Sequence, residues 1–339
     1  MSSHPSTSAA LNGHSSFTNG TEHSDAGQDD SYDAVSASGS SSMYPANGYS
    51  HTAYSDRHNE EIVHHLYHSG FQTGNYADTI LHVHQNVYRL HAIILSRSPY
   101  LAHLMSTSPQ TSGQRIIDVR LDDVREVTQE GFAIALGYLY SAVSLNLIRP
   151  DNARATLAAG CLLGGMDDLC QFAYETCRQS ITVENIGEWL AFIDAIPLPT
   201  EGTPDLPTIP LFGQYALRLR NDVFHFLVAV LPDVLEIHKS TQEQQGTQGR
   251  DVLLQVYAMA PFEVFKAAVE SPTFQIGSDQ ARFKFAKDAI ELRKKGITRG
   301  TGVEETVVLA FGGGNFGGSA VHITKKVRKH SLWKVNSSG

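Results

Sequence analysis

Four groups of residues in this 339-residue chain have types and spacings that chemistry uses. Eight of the 16 histidines fall between His58 and His103, and His64 and His68 stand four apart, as two zinc-gripping imidazoles on one helix face would. The usual Glu of an H-E-x-x-H pair is replaced by His65, so no metal site is expected. His82 and His84 alternate along an apolar run and read as the polar face of a strand. The run Gly312-Gly313-Gly314-Asn315-Phe316-Gly317 follows apolar residues 306–311 and matches G-x-G-x-x-G. A dinucleotide fold needs a helix next, then an acid ~20 residues on. Residues 318–324 are β-like instead, and no Asp or Glu follows, so a Gly-rich hairpin or loop without a cofactor is expected. Ser98, His91 and Asp78 can be drawn as a nucleophile, base and orienting acid, but no G-x-S-x-G or phosphate loop accompanies them. Cys161, Cys170 and Cys177 include no C-x-x-C pair, and Cys170 and Cys177, seven apart, share a helix face as packed free thiols would.

The elements that must carry these residues follow from periodicity. Residues 56–69 place Ile62, Val63, Leu66 and Tyr67 in one stripe, an amphipathic helix stopped by Gly70. Residues 79–84 read as a strand, Gln85-Asn86 as a two-residue turn and residues 87–90 as the returning strand. Two short helices over 92–96 and 100–105 are separated by Ser98-Pro99, with Pro at a first helical position. A strand over 115–119, a helix over 128–140 and a helix pair over 153–163 and 166–179 complete an α+β region. Beyond residue 181 the pattern is all helical: 184–196, 211–231, 252–259, 261–270 and 278–295, the last opened by a Ser278 cap. Five prolines between Pro197 and Pro210 mark an exposed loop.

Composition bounds what such a chain does. With 41% apolar and 18% charged residues, it is neither a collagen, a coiled-coil rod nor a wholly disordered chain. No window approaches ~18 consecutive apolar residues, so no membrane partner is expected. The N-terminus has no secretory pattern, and an odd number of cysteines fits a reducing, intracellular compartment, cytoplasmic or nuclear. Residues 1–55 hold 15 serines, five acids and no Lys or Arg, a composition unable to offset the entropy of ordering. Charge is divided unevenly: 14 Lys and Arg face 31 Asp and Glu in residues 1–281, against 12 and 4 in residues 282–339. The basic excess comes from the helix over 278–295 and from Lys325, Lys326, Arg328 and Lys329. Nucleic acid is not the expected partner, because aromatic residues are sparse among these bases; nuclear import is one use for the basic run.

The segments Tyr76-Ala77-Asp78-Thr79-Ile80-Leu81-His82-Val83, Tyr88-Arg89-Leu90-His91-Ala92-Ile93-Ile94-Leu95 and Ser96-Arg97-Ser98-Pro99-Tyr100-Leu101 resemble the core of a BTB/POZ domain. Ala135-Leu136-Gly137-Tyr138-Leu139-Tyr140-Ser141 is similar to a later segment of that family, and 153–177 to its closing helix pair. Asp78, His91 and Ser98 are the signature residues, which the resemblance assigns to structural places. Ala260-Pro261-Phe262-Glu263-Val264-Phe265 and 277–283 resemble the BACK helical extension that often follows such domains. The implied organisation is a tail over 1–55, a BTB/POZ domain over 56–180, a BACK-like region over 181–297 interrupted at 197–210, and a Gly-rich basic segment over 298–339. The implied function is that of an adaptor, not an enzyme, with no catalytic, cofactor or metal site. It would bind itself through Ile62, Val63, Leu66 and Tyr67, and other proteins besides. One family use is to hold a cullin scaffold of a ubiquitin ligase, aided by an apolar-x-Glu motif, yet the corresponding loop 106–114 contains no Glu. The other use, as a nuclear regulatory scaffold, is not of the zinc-finger repressor kind: Ala92 stands where a basic residue would pair with Asp78, and no zinc-finger array follows.

Overall fold

The computed structural model describes residues 51–111, 113–122, 124–196, 211–237, 245–274, 276–297, 305–311 and 321–327. Most of the expected tail, the proline loop, the glycine run and Arg328 and Lys329 lie outside the described residues. The first helix, α1 (His51–His65), begins five residues earlier than expected, so His51–Ser55 belong to it and not to the tail. Gly70 does not end the helical path. It lies inside a π-helical turn, Leu66–Gln72, that follows directly and closes through the bond from Gly74 N to the Gly70 carbonyl (3.0 Å).

A four-stranded sheet follows, in the order β2-β1-β4-β3, with β1 (Thr79–Val83), β2 (Asn86–Leu90), β3 (Gln110–Thr111) and β4 (Gln114–Val119). The β1–β2 hairpin is antiparallel with Val83 opposite Asn86, so its turn is His84-Gln85, one residue earlier than expected. His84 takes φ +50°, the left-handed conformation that this tight reversal demands and that His tolerates better than a β-branched residue. β4 runs parallel to β1, and such a connection needs a crossover. α2 (Ala92–Leu95) and α3 (Pro99–Thr107) supply it. The two-residue β3 has no signal in the sequence, because a strand so short shows no periodicity.

One sheet face is the core of this region. Thr79, Leu81 and Val83 of β1 and Ile117 and Val119 of β4 are buried, while Ile116 and Val87 face out. Against it pack α4 (Gln129–Tyr140), whose Phe132 and Leu136 are fully buried, and the antiparallel pair α5 (Ala153–Leu163) and α6 (Asp167–Gln179). α4 is started by the Thr128 hydroxyl, which accepts a hydrogen bond from Gly131 N at 3.2 Å. Gly131 also lets α4 approach α5: a Cβ there would lie 2.6 Å from the Ala155 carbonyl carbon.

The helical remainder comprises α7 (Ile186–Ala195), α8 (Tyr215–His225) with a π turn at Phe226–Val230, α9 (Leu231–Val234), α10 (Gln245–Met259), α11 (Phe262–Glu270) and α12 (Asp279–Ile297). Tyr257 is the centre of its core, stacked on Phe274 at 4.9 Å and edge-on to Phe285 at 5.1 Å. Its hydroxyl donates to the Leu227 carbonyl at 3.2 Å, which satisfies a phenol that would otherwise be buried unpaired. The chain then forms an antiparallel hairpin of β5 (Glu305–Phe311) and β6 (Val321–Val327). β6 packs on α11 and α12, with Val321 and Ile323 buried and Ile323 N donating to Glu270 Oε1 at 2.6 Å. β5 and β6 pair antiparallel, whereas a dinucleotide fold needs a parallel βαβ unit.

Candidate interaction surface

α1 divides the four stripe residues between two roles. Tyr67 is only 5% exposed and starts an aromatic chain into its own domain, with ring centroids 5.5 Å from Phe71, which lies 5.3 Å from Tyr140. Within the chain, Tyr67 anchors this helical path to its own domain. Leu66 packs half-buried against the same core. Ile62 and Val63, one turn earlier, are 45% and 39% exposed. The division falls at the junction of α1 with the π turn that begins at Leu66.

The three signature residues lie where β1, β2, α2 and α3 meet. Asp78 Oδ1 accepts from Ala92 N at 2.7 Å and from the Thr79 hydroxyl at 3.0 Å, tying the entry to β1 to the start of α2. His91 Nε2 faces the Asn75 carbonyl at 2.8 Å and therefore donates to it. That tautomer leaves Nδ1 to accept from the Tyr140 hydroxyl at 3.0 Å, and the same hydroxyl accepts from His91 N at 3.0 Å. Burial pushes the Tyr140 phenol well above its ordinary range, so it stays protonated and donates. Ser98 is fully buried; its hydroxyl donates to the Leu163 carbonyl at 2.6 Å and accepts from Leu101 N at 3.2 Å. Ser98 Oγ is bonded to backbone on both sides, and both nitrogens of the His91 ring are taken. The three residues do not form a nucleophilic triad.

The remaining sequence features resolve in the same manner. The His64 and His68 rings have centroids 4.2 Å apart and are tilted 49° to each other, but His68 Nδ1 is 2.8 Å from Gln72 Oε1 and His65 Nδ1 is 3.3 Å from the Ser69 hydroxyl. Among the described residues no group of three or more His, Cys, Asp or Glu is placed to hold a metal ion. His82 and His84 do not stand alone on their face: Asp118 lies 4.0 Å from His82 and Asp122 lies 3.7 Å from His84. Parallel register sets the first pair, since His82 stands opposite Asp118. The bases of α12 split by chemistry. Arg282 donates to Asp279 at 2.5 Å and to the Ser271 carbonyl at 3.0 Å, and Arg293 donates to the carbonyls of Tyr257, Ala258 and Ala260 at the end of α10. Lys284, Lys287 and Lys294 are exposed. Lys325 and Lys326 are on β6, opposite Val307 and Thr306.

A junction that no spacing announced joins α6 to α8. The Tyr174 hydroxyl donates to Asp222 Oδ2 at 2.5 Å, and the Arg218 guanidinium lies 4.0 Å from the Tyr174 ring while donating to Gln171 Oε1 at 3.0 Å. Arg154 of α5 lies 4.6 Å from the Phe192 ring of α7 and pairs with Glu126 at 3.2 Å. The paired residues are 28 to 48 positions apart in the chain, so only the fold brings them together. Among the described residues no helix is long and apolar enough to cross a membrane.

Two curated proteins bear on this arrangement. The chain is 29% identical over 279 residues to BTB/POZ domain-containing protein 2 of Schizosaccharomyces pombe, covering 80% of this chain and 90% of that protein. It is 31% identical over 121 residues to Germ cell-less protein-like 2 of Homo sapiens, covering 36% of this chain and 22% of that protein. No family model matches the chain. A hairpin joined to a parallel strand across α2 and α3, closed by α4 to α6 and extended by helices, together with likeness over 90% of the Schizosaccharomyces pombe protein, supports a BTB/POZ domain with an α+β fold and a helical extension.

Proposed function

We propose that this protein is a non-enzymatic adaptor that pairs with a second copy of itself through α1 and presents other proteins on its helical extension. The observation that carries the reading is the exposure of Ile62 and Val63 on a helix whose next turn is anchored by Tyr67. Covering the surface that these two β-branched residues still expose is worth roughly 1 kcal/mol each. In this reading residues 56–180 are the dimer-forming domain and residues 181–297 the BACK-like client platform. Within the Gly-rich basic segment, β6 shares the core of α11 and α12. Three free thiols fit an intracellular setting.

The test is light scattering on the full chain and on the double variant Ile62→Asp, Val63→Asp. Both positions are exposed, so the variant is expected to fold. The wild type should show twice the 37.0 kDa chain mass, and the variant the chain mass itself. A wild-type monomer at tens of micromolar, or an unchanged dimer in the variant, would overturn the α1 contact. Recruitment to a cullin-RING ligase is the finer reading, supported by the domain family but weakened at loop 106–114, which lacks Glu and is partly drawn into β3. Copurification of a neddylated cullin with the folded dimer would support it, and clean absence would remove it.

A further inference from the structure

Cys161, on the last turn of α5, and Cys170, on the first turn of α6, hold their sulfurs 3.9 Å apart, with the Cys161 S–H directed at Cys170. The approach depends on Gly160, where a Cβ would lie 2.8 Å from Cys170 Sγ. Cys161 is half-buried and reachable from solvent, whereas Cys170 is 5% exposed. We propose that this pair is a modification site: hydrogen peroxide oxidises Cys161, and Cys170 resolves it to an intramolecular disulfide that staples α5 to α6.

The geometry distributes the roles. Cys161 is the sulfur that solvent reaches; once it ionises, the Cys170 S–H turns to donate to it, which favours a thiolate at Cys161 and pushes the Cys170 thiol up, as burial also does. The other titratable groups facing the pair are Asp167 of α6, Tyr138 of α4 and Tyr215 of α8. The Cys161 sulfur attacks one peroxide oxygen; the O–O bond breaks, leaving a sulfenic acid and one water. The Cys170 sulfur then attacks the Cys161 sulfur, the S–S bond forms as the S–O bond breaks, and the hydroxyl leaves with the Cys170 proton as a second water. The two thiols lose two electrons and two protons, and the peroxide is reduced to two waters. The sulfurs must close from 3.9 Å to about 2.05 Å, within reach of side-chain rotation and a small shift of two helix ends. Cys177, two turns along α6 and buried, takes no part.

The test uses the reduced full-length protein, hydrogen peroxide, alkylation and peptide mapping. Trypsin alone leaves all three cysteines in residues 155–178, so cleavage before Asp167 and after Glu175 is added to separate them. The expected result is a Cys161–Cys170 cross-linked peptide two mass units light, reversed by dithiothreitol, with Cys177 alkylated throughout. Cys170→Ser should trap a dimedone-reactive sulfenic acid on Cys161, and Cys161→Ser should slow loss of the Cys170 thiol by about tenfold. The wild-type mapping needs no variant to fold. Oxidation stopping at Cys161 without a cross-link would overturn the proposal, as would a cross-link through Cys177 or between chains. So would two thiols still alkylatable after peroxide has consumed a free cysteine peptide in the same solution.

Discussion

Ser98 shows how one buried hydroxyl serves two elements: it starts α3 by accepting from Leu101 N and holds the end of α5 by donating to the Leu163 carbonyl. The first role is legible in sequence, because Ser-Pro before an apolar run is a local helix start. The second spans 65 residues and depends on packing. Cys177 carries the prediction at this scale. Burial pushes its thiol up to about 12, against ~8.5 in an unfolded chain. Below ~8.5 both states hold the proton and stability is full. Above it only the unfolded state ionises, so stability falls by about 1.4 kcal/mol per pH unit until the folded value is reached. Denaturant titrations of the reduced protein at pH 7.5 and 9.5 should show Cys177→Ala losing about 1.4 kcal/mol less than the wild type between the two pH values. Equal slopes would mean that this thiol is not held neutral.

Helices and strands were mostly legible where periodicity or a cap was strong. Thr128 and Ser278 both cap as their sequence positions imply, with Ala281 N donating to Ser278 Oγ at 3.2 Å. Boundaries failed where tertiary packing overrode a local stop signal. Gly70 looks like a helix terminus, but its surroundings favour it inside the π turn, with the His91 and Tyr140 rings 3.3 and 3.5 Å from where a Cβ would stand. The turn of the β1–β2 hairpin slipped by one residue because Gln, Asn and His differ little in turn preference, and the register was set by burying Leu81, Val83 and Leu90. The α4–α5 crossing yields a test of packing: Gly131→Ala puts a methyl 2.6 Å from the Ala155 backbone and should destabilise by about 1–3 kcal/mol in urea unfolding. A neutral result would show that the two helices separate freely.

For the whole molecule, the decisive feature is the junction that fastens the closing helices of the domain to the extension. Tyr174, Asp222, Arg218 and Gln171 form a bonded cluster across α6 and α8. Arg154 covers Phe192 beside it, with Trp189 edge-on to Phe192 at 5.7 Å. A dense junction makes the domain and its extension unfold together. Tryptophan fluorescence, which includes Trp189 in the extension, and far-ultraviolet circular dichroism should therefore trace one denaturation curve. Tyr174→Phe removes the donor to Asp222 and should lower the midpoint by an amount worth about 1–3 kcal/mol. Separate wild-type curves would mean that the two regions are held together only by the chain.

The amino-acid sequence by itself determined the α+β class, the helical extension, the order of nearly every element and the identity of Asp78, His91 and Ser98 as residues of note. Those properties rest on local periodicity, caps and short motifs, which act within a few residues. The tertiary structure alone decided which residues of the α1 stripe face water, that Cys161 pairs with Cys170, that Arg293 gathers the carbonyls ending α10, and that β6 shares the core of α11 and α12. Each depends on groups far apart in the chain meeting in one packed interior, where burial and hydrogen-bond satisfaction outweigh local preference.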